Sequence, residues 1–131
     1  MPSRFEDIRI VGVNDAASRK PDPEKALFDV VLELSASPPV EWGNYFNQRW
    51  QQEIYSMKRR ARVSGRHLII HCVPDELERD HLPHLKAVID ETNAAYRRYS
   101  DAQVQHRRVE QQQEEQERDV LRQLKDRLKF D

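Results

Sequence analysis

The stretch HCVPDELERDHLPH, residues 71–84, gathers three of the chain's five histidines and its only cysteine. Imidazole and thiolate are zinc ligands, so a metal centre is the first chemistry to weigh. A centre needs three or four ligands converging on one point. If His71 and Cys72 lie on a strand, their side chains leave on opposite faces and cannot share an ion. His81 and His84 are three apart and can share a helix face, but with one strand residue they make an incomplete set. The expectation is therefore no metal and no cofactor. Cys72 is read as a small buried apolar residue. The histidines are read as the polar joint between a hairpin and a helix.

A second candidate is KRRARVSGR, residues 58–66, with five positive side chains and no acid. A basic two-stranded ribbon can follow a phosphate backbone or enter a major groove. Lys58, Arg60, Arg62 and His67 are the residues such a ribbon would use, and Arg97, Arg98, Arg107 and Arg108 add charge further on. The simpler alternative is a solvated face paired to nearby carboxylates. A net charge of −1 gives no global field to draw in nucleic acid, so binding would depend on this local patch.

Enzyme chemistry finds little support. The three glycines are too scattered for a phosphate-binding loop. No strained nucleophile turn is present. Asp75, Glu76, Glu78 and Asp80 read as the acidic start of a helix, favoured by its dipole. The chain is expected not to be an enzyme.

These residues must be positioned by secondary structure. Residues 4–13 are rich in β-branched side chains and end at Asn14-Asp15, which predicts a strand and a turn. A proline-containing loop follows. In ALFDVVLELS, Phe28, Val30, Leu32 and Leu34 alternate with Leu27, Asp29, Val31 and Glu33, the pattern of a strand. Ser37 is a candidate cap for a helix whose first turn holds Pro38 and Pro39. Trp42, Phe46, Trp50 and Ile54 recur every four residues with Tyr45 beside them, an apolar helical stripe expected to be core. Gly43 weakens that helix by roughly 1 kcal/mol. Residues 57–73 read as a hairpin turning at Ser64-Gly65. That register sets Ala61 opposite Leu68 and Met57 opposite Cys72, with Lys58, Arg60, Arg62, His67, Ile69 and His71 on the other face.

After Pro74 comes one helical turn, and Asp80 is a candidate cap for a second helix with Pro83 in its first turn. From there to Phe130 there is no proline or glycine. Leu85, Ile89, Thr92, Tyr96, Tyr99, His106 and Val109 recur at three and four. The stripe thins over residues 110–119 and returns as Val120, Leu121, Leu124 and Leu128. A continuous helix of this length is ~70 Å long at 1.5 Å per residue. The pairs Glu114–Arg118 and Arg122–Asp126 have the spacing that supports an exposed helix.

The fold class expected is α+β, order ββαββα: an antiparallel sheet with one short and one very long C-terminal helix. Residues 1–80 form the head, and 81–131 the helix, which packs on the head at its start and continues as an arm. Apolar residues on both sheet faces (Leu27, Val31, Val11 and Val13 on the outer one) suggest that another subunit or the returning helix covers the second face. The seam Val120, Leu121, Leu124 and Leu128 is the expected contact for a second copy or a partner protein. The function expected is a non-enzymatic interaction or oligomerisation module; the alternative is a small nucleic-acid-binding regulator.

The bulk numbers agree. One ordinary domain fits in 131 residues, but 37% hydrophobic against 34% charged residues is a thin apolar supply, so part of the chain should lie outside a core. A lone cysteine suits a reducing compartment. No apolar N-terminal run or membrane-length stretch appears, so a cytoplasmic protein with no membrane contact is expected.

Overall fold

A computed structural model of the chain describes residues 5–129. The fold is α+β: β1 (Ile10–Val13), β2 (Phe28–Leu34), α1 (Val40–Gln52), β3 (Ala61–Ser64) and β4 (His67–Cys72) come first. Then α2 (Pro74–Glu76), a π turn (Leu77–His81) and α3 (Leu82–Arg127) follow one another without a gap. The described residues divide into two compact units, up to Tyr96 and from Arg97 onward. Arg4 and Phe130, the outer limits expected for the first strand and last helix, lie outside the described residues.

The sheet is antiparallel throughout, in the order β1-β2-β4-β3. Period-two alternation works as the sequence implies. Val30 and Leu32 pair with Ile70 and Leu68 on the inner face, and all four are buried. Against them pack Trp42, Phe46 and Trp50 of α1, whose rings lie nearly parallel at centroid spacings of 6.0 and 6.1 Å, together with Leu85, Val88 and Ile89 of α3. Burying each such side chain is worth about 1.5–3 kcal/mol, so this layer dominates the stability of the first unit.

Several local expectations change. The hairpin turns at Gly65-Arg66, not Ser64-Gly65: Ser64 pairs with His67 and Ala61 with Ile70. Gly65 has φ +58 and Arg66 does not share the positive φ, the pattern of a type II′ turn with glycine first. Sliding a two-residue loop by one position moves each partner by two, so the faces are unchanged. Met57 does not reach the sheet; it sits at φ +60 and is 65% exposed. Ser37 does not cap α1, which begins at Val40 after Pro39. A residue before proline avoids helical geometry, so the two prolines hold the chain extended. At the other end Glu53 is extended, and Ile54 leaves the stripe and is 90% exposed. Asp80 caps nothing, because the helix runs through it.

The second sheet face needs neither a second subunit nor the returning helix to bury Val31, which is 6% exposed. The loop after β1 lies along the edge of β2. Asn14 donates its amide N–H to the Val31 carbonyl, the Val31 amide donates to Ser18 Oγ, and Arg19 exchanges both backbone hydrogen bonds with Asp29. Ser18 and Asn14 also bond to each other, the local side-chain chemistry that orders such turns. β1 itself is short and irregular at Gly12, leaving Val11 and Val13 half-exposed.

Candidate interaction surfaces

The outer sheet face is built by the alternate residues of β2 and β4. Asp29 stands opposite His71, Val31 opposite Ile69, and Glu33 opposite His67. Both cross-strand acid–histidine couples close: His71 Nδ1 to Asp29 Oδ1 is 2.8 Å and His67 Nε2 to Glu33 Oε1 is 3.2 Å. His67 is therefore engaged by its own sheet and does not join the basic residues with which the sequence groups it. The signal for these couples was present in the sequence. Asp29 and Glu33 are four apart on one strand, His67 and His71 four apart on the other, and an antiparallel register matches them.

Lys58, Arg60 and Arg62 are brought together. They line a cleft of about 720 Å³ with Asp29, Ile69 and His71. Only Arg62 of the three lies on a strand; Lys58 and Arg60 precede β3, although Arg60 still accepts the His71 amide through its carbonyl. The segment is fixed from behind. Trp50 Nε1 donates to the Arg59 carbonyl at 3.0 Å, and Lys58 Nζ lies 5.6 Å from the Trp50 ring centroid. Arg59 also lines the cleft, with its guanidinium paired to Glu76 at 3.3 Å. Among the described residues no carboxylate pairs with Lys58, Arg60 or Arg62.

The histidine-rich stretch joins β4 to α3. Burial pushes the Glu76 carboxyl up, but the Arg59 guanidinium and the Val73 amide outweigh that and hold it below the usual range. His81, the last residue of the π turn, is completely buried. Burial also lifts the Tyr55 phenol, to about 12. Tyr55 Oη and His81 Nδ1 share a hydrogen bond of 2.8 Å. His81 Nε2 is a buried atom with no hydrogen-bond partner among the described residues, 3.9 Å from Glu76 Oε1. His84 stacks on the Tyr55 ring with centroids 3.8 Å apart. Cys72 is buried in the core, its thiol raised to about 11 by burial. Among the described residues, no three His, Cys, Asp or Glu side chains are grouped to hold a metal.

The third surface is on α3. No residue from Arg97 to Lys129 is buried. Val120 and Leu121 are 64% exposed, Leu124 39% and Leu128 46%. Leu128 lies just past the helix end, its amide still bonded to the Leu124 carbonyl. At 3.6 residues per turn the four fall within an arc of about 100°. Nearby, His106 pairs with Glu110 at 2.9 Å, and Arg122 turns to Asp119 at 3.2 Å, not to Asp126. Among the described residues no helix is long and apolar enough to cross a membrane.

Comparison with family models, curated proteins and solved structures returns no match to this chain.

Proposed function

We propose that this protein is a non-enzymatic interaction module that self-associates through its C-terminal helix. The observation that carries this is the apolar seam of Val120, Leu121, Leu124 and Leu128 on one face of a helix whose last thirty residues bury nothing within their own unit. Apolar side chains scattered singly on a surface are ordinary, but four on adjacent turns of one face form a contact. The seam is short. Each side chain contributes ~1–2 kcal/mol on burial against an association cost of at least ~4 kcal/mol, so association is weak and needs a concentration series reaching hundreds of micromolar.

Sedimentation equilibrium is the test, on the full chain and on the double variant Leu121→Glu/Leu124→Glu. The wild type is expected to rise from 15.6 kDa toward twice that mass with concentration, and the variant to stay at 15.6 kDa. A wild type that stays monomeric, or a variant that associates equally well, overturns the reading.

A second reading has its own observation: the cleft where Lys58, Arg60 and Arg62 converge without a carboxylate partner among the described residues. This is a patch suited to phosphates, and it would make the protein a small nucleic-acid-binding regulator. Three phosphate contacts give an affinity for duplex DNA whose logarithm falls with log salt at a slope of roughly −3. Absent or salt-independent binding removes it.

A further inference from the structure

The residues of the outer sheet face fall into rows across the strands. One row is Asp29, His71 and Arg60: Asp29 pairs with His71, and the His71 amide donates to the Arg60 carbonyl. The next row is Val31, Ile69 and Arg62. The acid of these rows therefore lies two strands from the arginines, about 10 Å across the sheet. His71 stands between and takes that acid at 2.8 Å. This placement accounts for the lack of a carboxylate partner at Arg60 and Arg62. Lys58 continues the alternation one step further and lies over the Trp50 ring.

The cleft these residues line has a charge balance of its own. Arg59 is offset by Glu76. Lys58, Arg60 and Arg62 share the lining with a single acid, Asp29, which leaves two positive charges when His71 is neutral. A phosphate monoester carries close to two negative charges near neutral pH, whereas each phosphate of a nucleic-acid backbone carries one. The volume of about 720 Å³ falls within the roughly 300–1,000 Å³ typical of small-molecule sites. It is far more than one phosphate ion fills, so a ligand with a body fits better than the bare ion. A duplex presents its phosphates on a convex rod and meets only the rim of such a concavity.

We propose that this cleft binds a small-molecule phosphate monoester with a hydroxylated body, a nucleotide or a sugar phosphate. The proposal rests on the second reading above for its claim that the cleft takes phosphate, and it changes the occupant from a duplex to a small molecule. Arg60 and Arg62 hold the phosphate oxygens through their planar forks, and Lys58 adds a point charge. An ionised carboxylate only accepts, so Asp29 fixes the His71 proton on Nδ1 and leaves the Nε2 lone pair to accept a hydroxyl of the ligand. Ile69, Ala61 and Trp50 supply apolar lining for the rest of the molecule.

Calorimetry on the full chain tests this, with adenosine 5′-monophosphate and ribose 5-phosphate as probes and adenosine and ribose as their phosphate-free controls. Saturable binding of at least one phosphorylated probe, and of neither control, is expected. Arg60 and Arg62 are exposed, so Arg60→Gln/Arg62→Gln removes charge without disturbing the core. It should weaken binding at least about tenfold. Arg9→Gln, an exposed position beside β1 at the opposite sheet edge, should leave binding unchanged. A control that binds as well as its phosphorylated form, or a double variant that binds as tightly as the wild type, overturns the proposal. A blunt duplex without terminal phosphates separates this proposal from the reading it rests on. A phosphorylated probe that binds while the duplex does not upholds this site and removes the nucleic-acid reading. A duplex that binds with the steep salt dependence while neither probe binds overturns this site and leaves that reading standing. Binding of none of them removes both.

Discussion

Asn93 uses one side-chain amide to hold three segments together. Its Oδ1 accepts from the Ile8 amide at 3.0 Å and from Trp42 Nε1 at 2.9 Å, while its Nδ2 donates to the Ile8 carbonyl at 2.8 Å. It thus stands in for a β-strand partner to residue 8 and anchors one of the two indole rings of the core. Asn93→Ala strands a buried indole N–H and two backbone groups, each worth ~1–3 kcal/mol when unsatisfied, so a loss of about 3 kcal/mol in urea denaturation is expected. A loss near zero would mean the three groups find other partners. His81 gives a pH prediction. Burial is the largest influence on it and lowers its pKa despite Glu76 and Asp80 nearby. The folded state then binds a proton less readily than the unfolded chain. Stability is full above the ordinary histidine range, about 6.5, and falls as pH drops below it. The wild type should lose melting temperature between about pH 7 and 5.5, and His81→Phe should flatten that window even if it melts lower throughout. An equally steep loss in the variant would assign the effect elsewhere. The sequence carried the acid–histidine couples in its matched spacing. It carried no sign of Asn93, because that role depends on a segment 85 residues away.

At the scale of elements, the segments with strong periodicity were legible and their ends were not. The alternation in β2 and the every-fourth aromatics of α1 fix their buried faces directly. The start of α1 went unread because backbone geometry around two prolines outweighed the capping preference of Ser37. The π turn at Leu77–His81 left no trace in composition, so Asp80 looked like a cap. Gly43 was read as a weak point in α1, and the structure says what a side chain there would meet. An added Cβ lies 3.5 Å from Val63 Cγ1, an ordinary contact. Gly43→Ala is therefore expected to stabilise the protein by up to about 1 kcal/mol through helix propensity, read as a rise in melting temperature. A fall would mean that Val63 cannot accept the methyl group.

At the scale of the molecule, the α+β class and the antiparallel sheet followed from the order of the elements. The strand order did not, since nothing in the residues alone decides that β2 and β4 share the centre. The thin apolar supply is resolved by concentrating it: the core lies within the first unit, and none of the described residues of the second unit, from Arg97 onward, is buried. A helix built this way gains little from propensity alone, because most helical stability in proteins comes from packing an amphipathic face. The central claim, that a second copy supplies that packing, is tested most directly by amide hydrogen exchange over residues 113–127 at low and high protein concentration. Protection that rises with concentration and is lost in Leu121→Glu/Leu124→Glu is the predicted result. Protection that is the same at every concentration would contradict it.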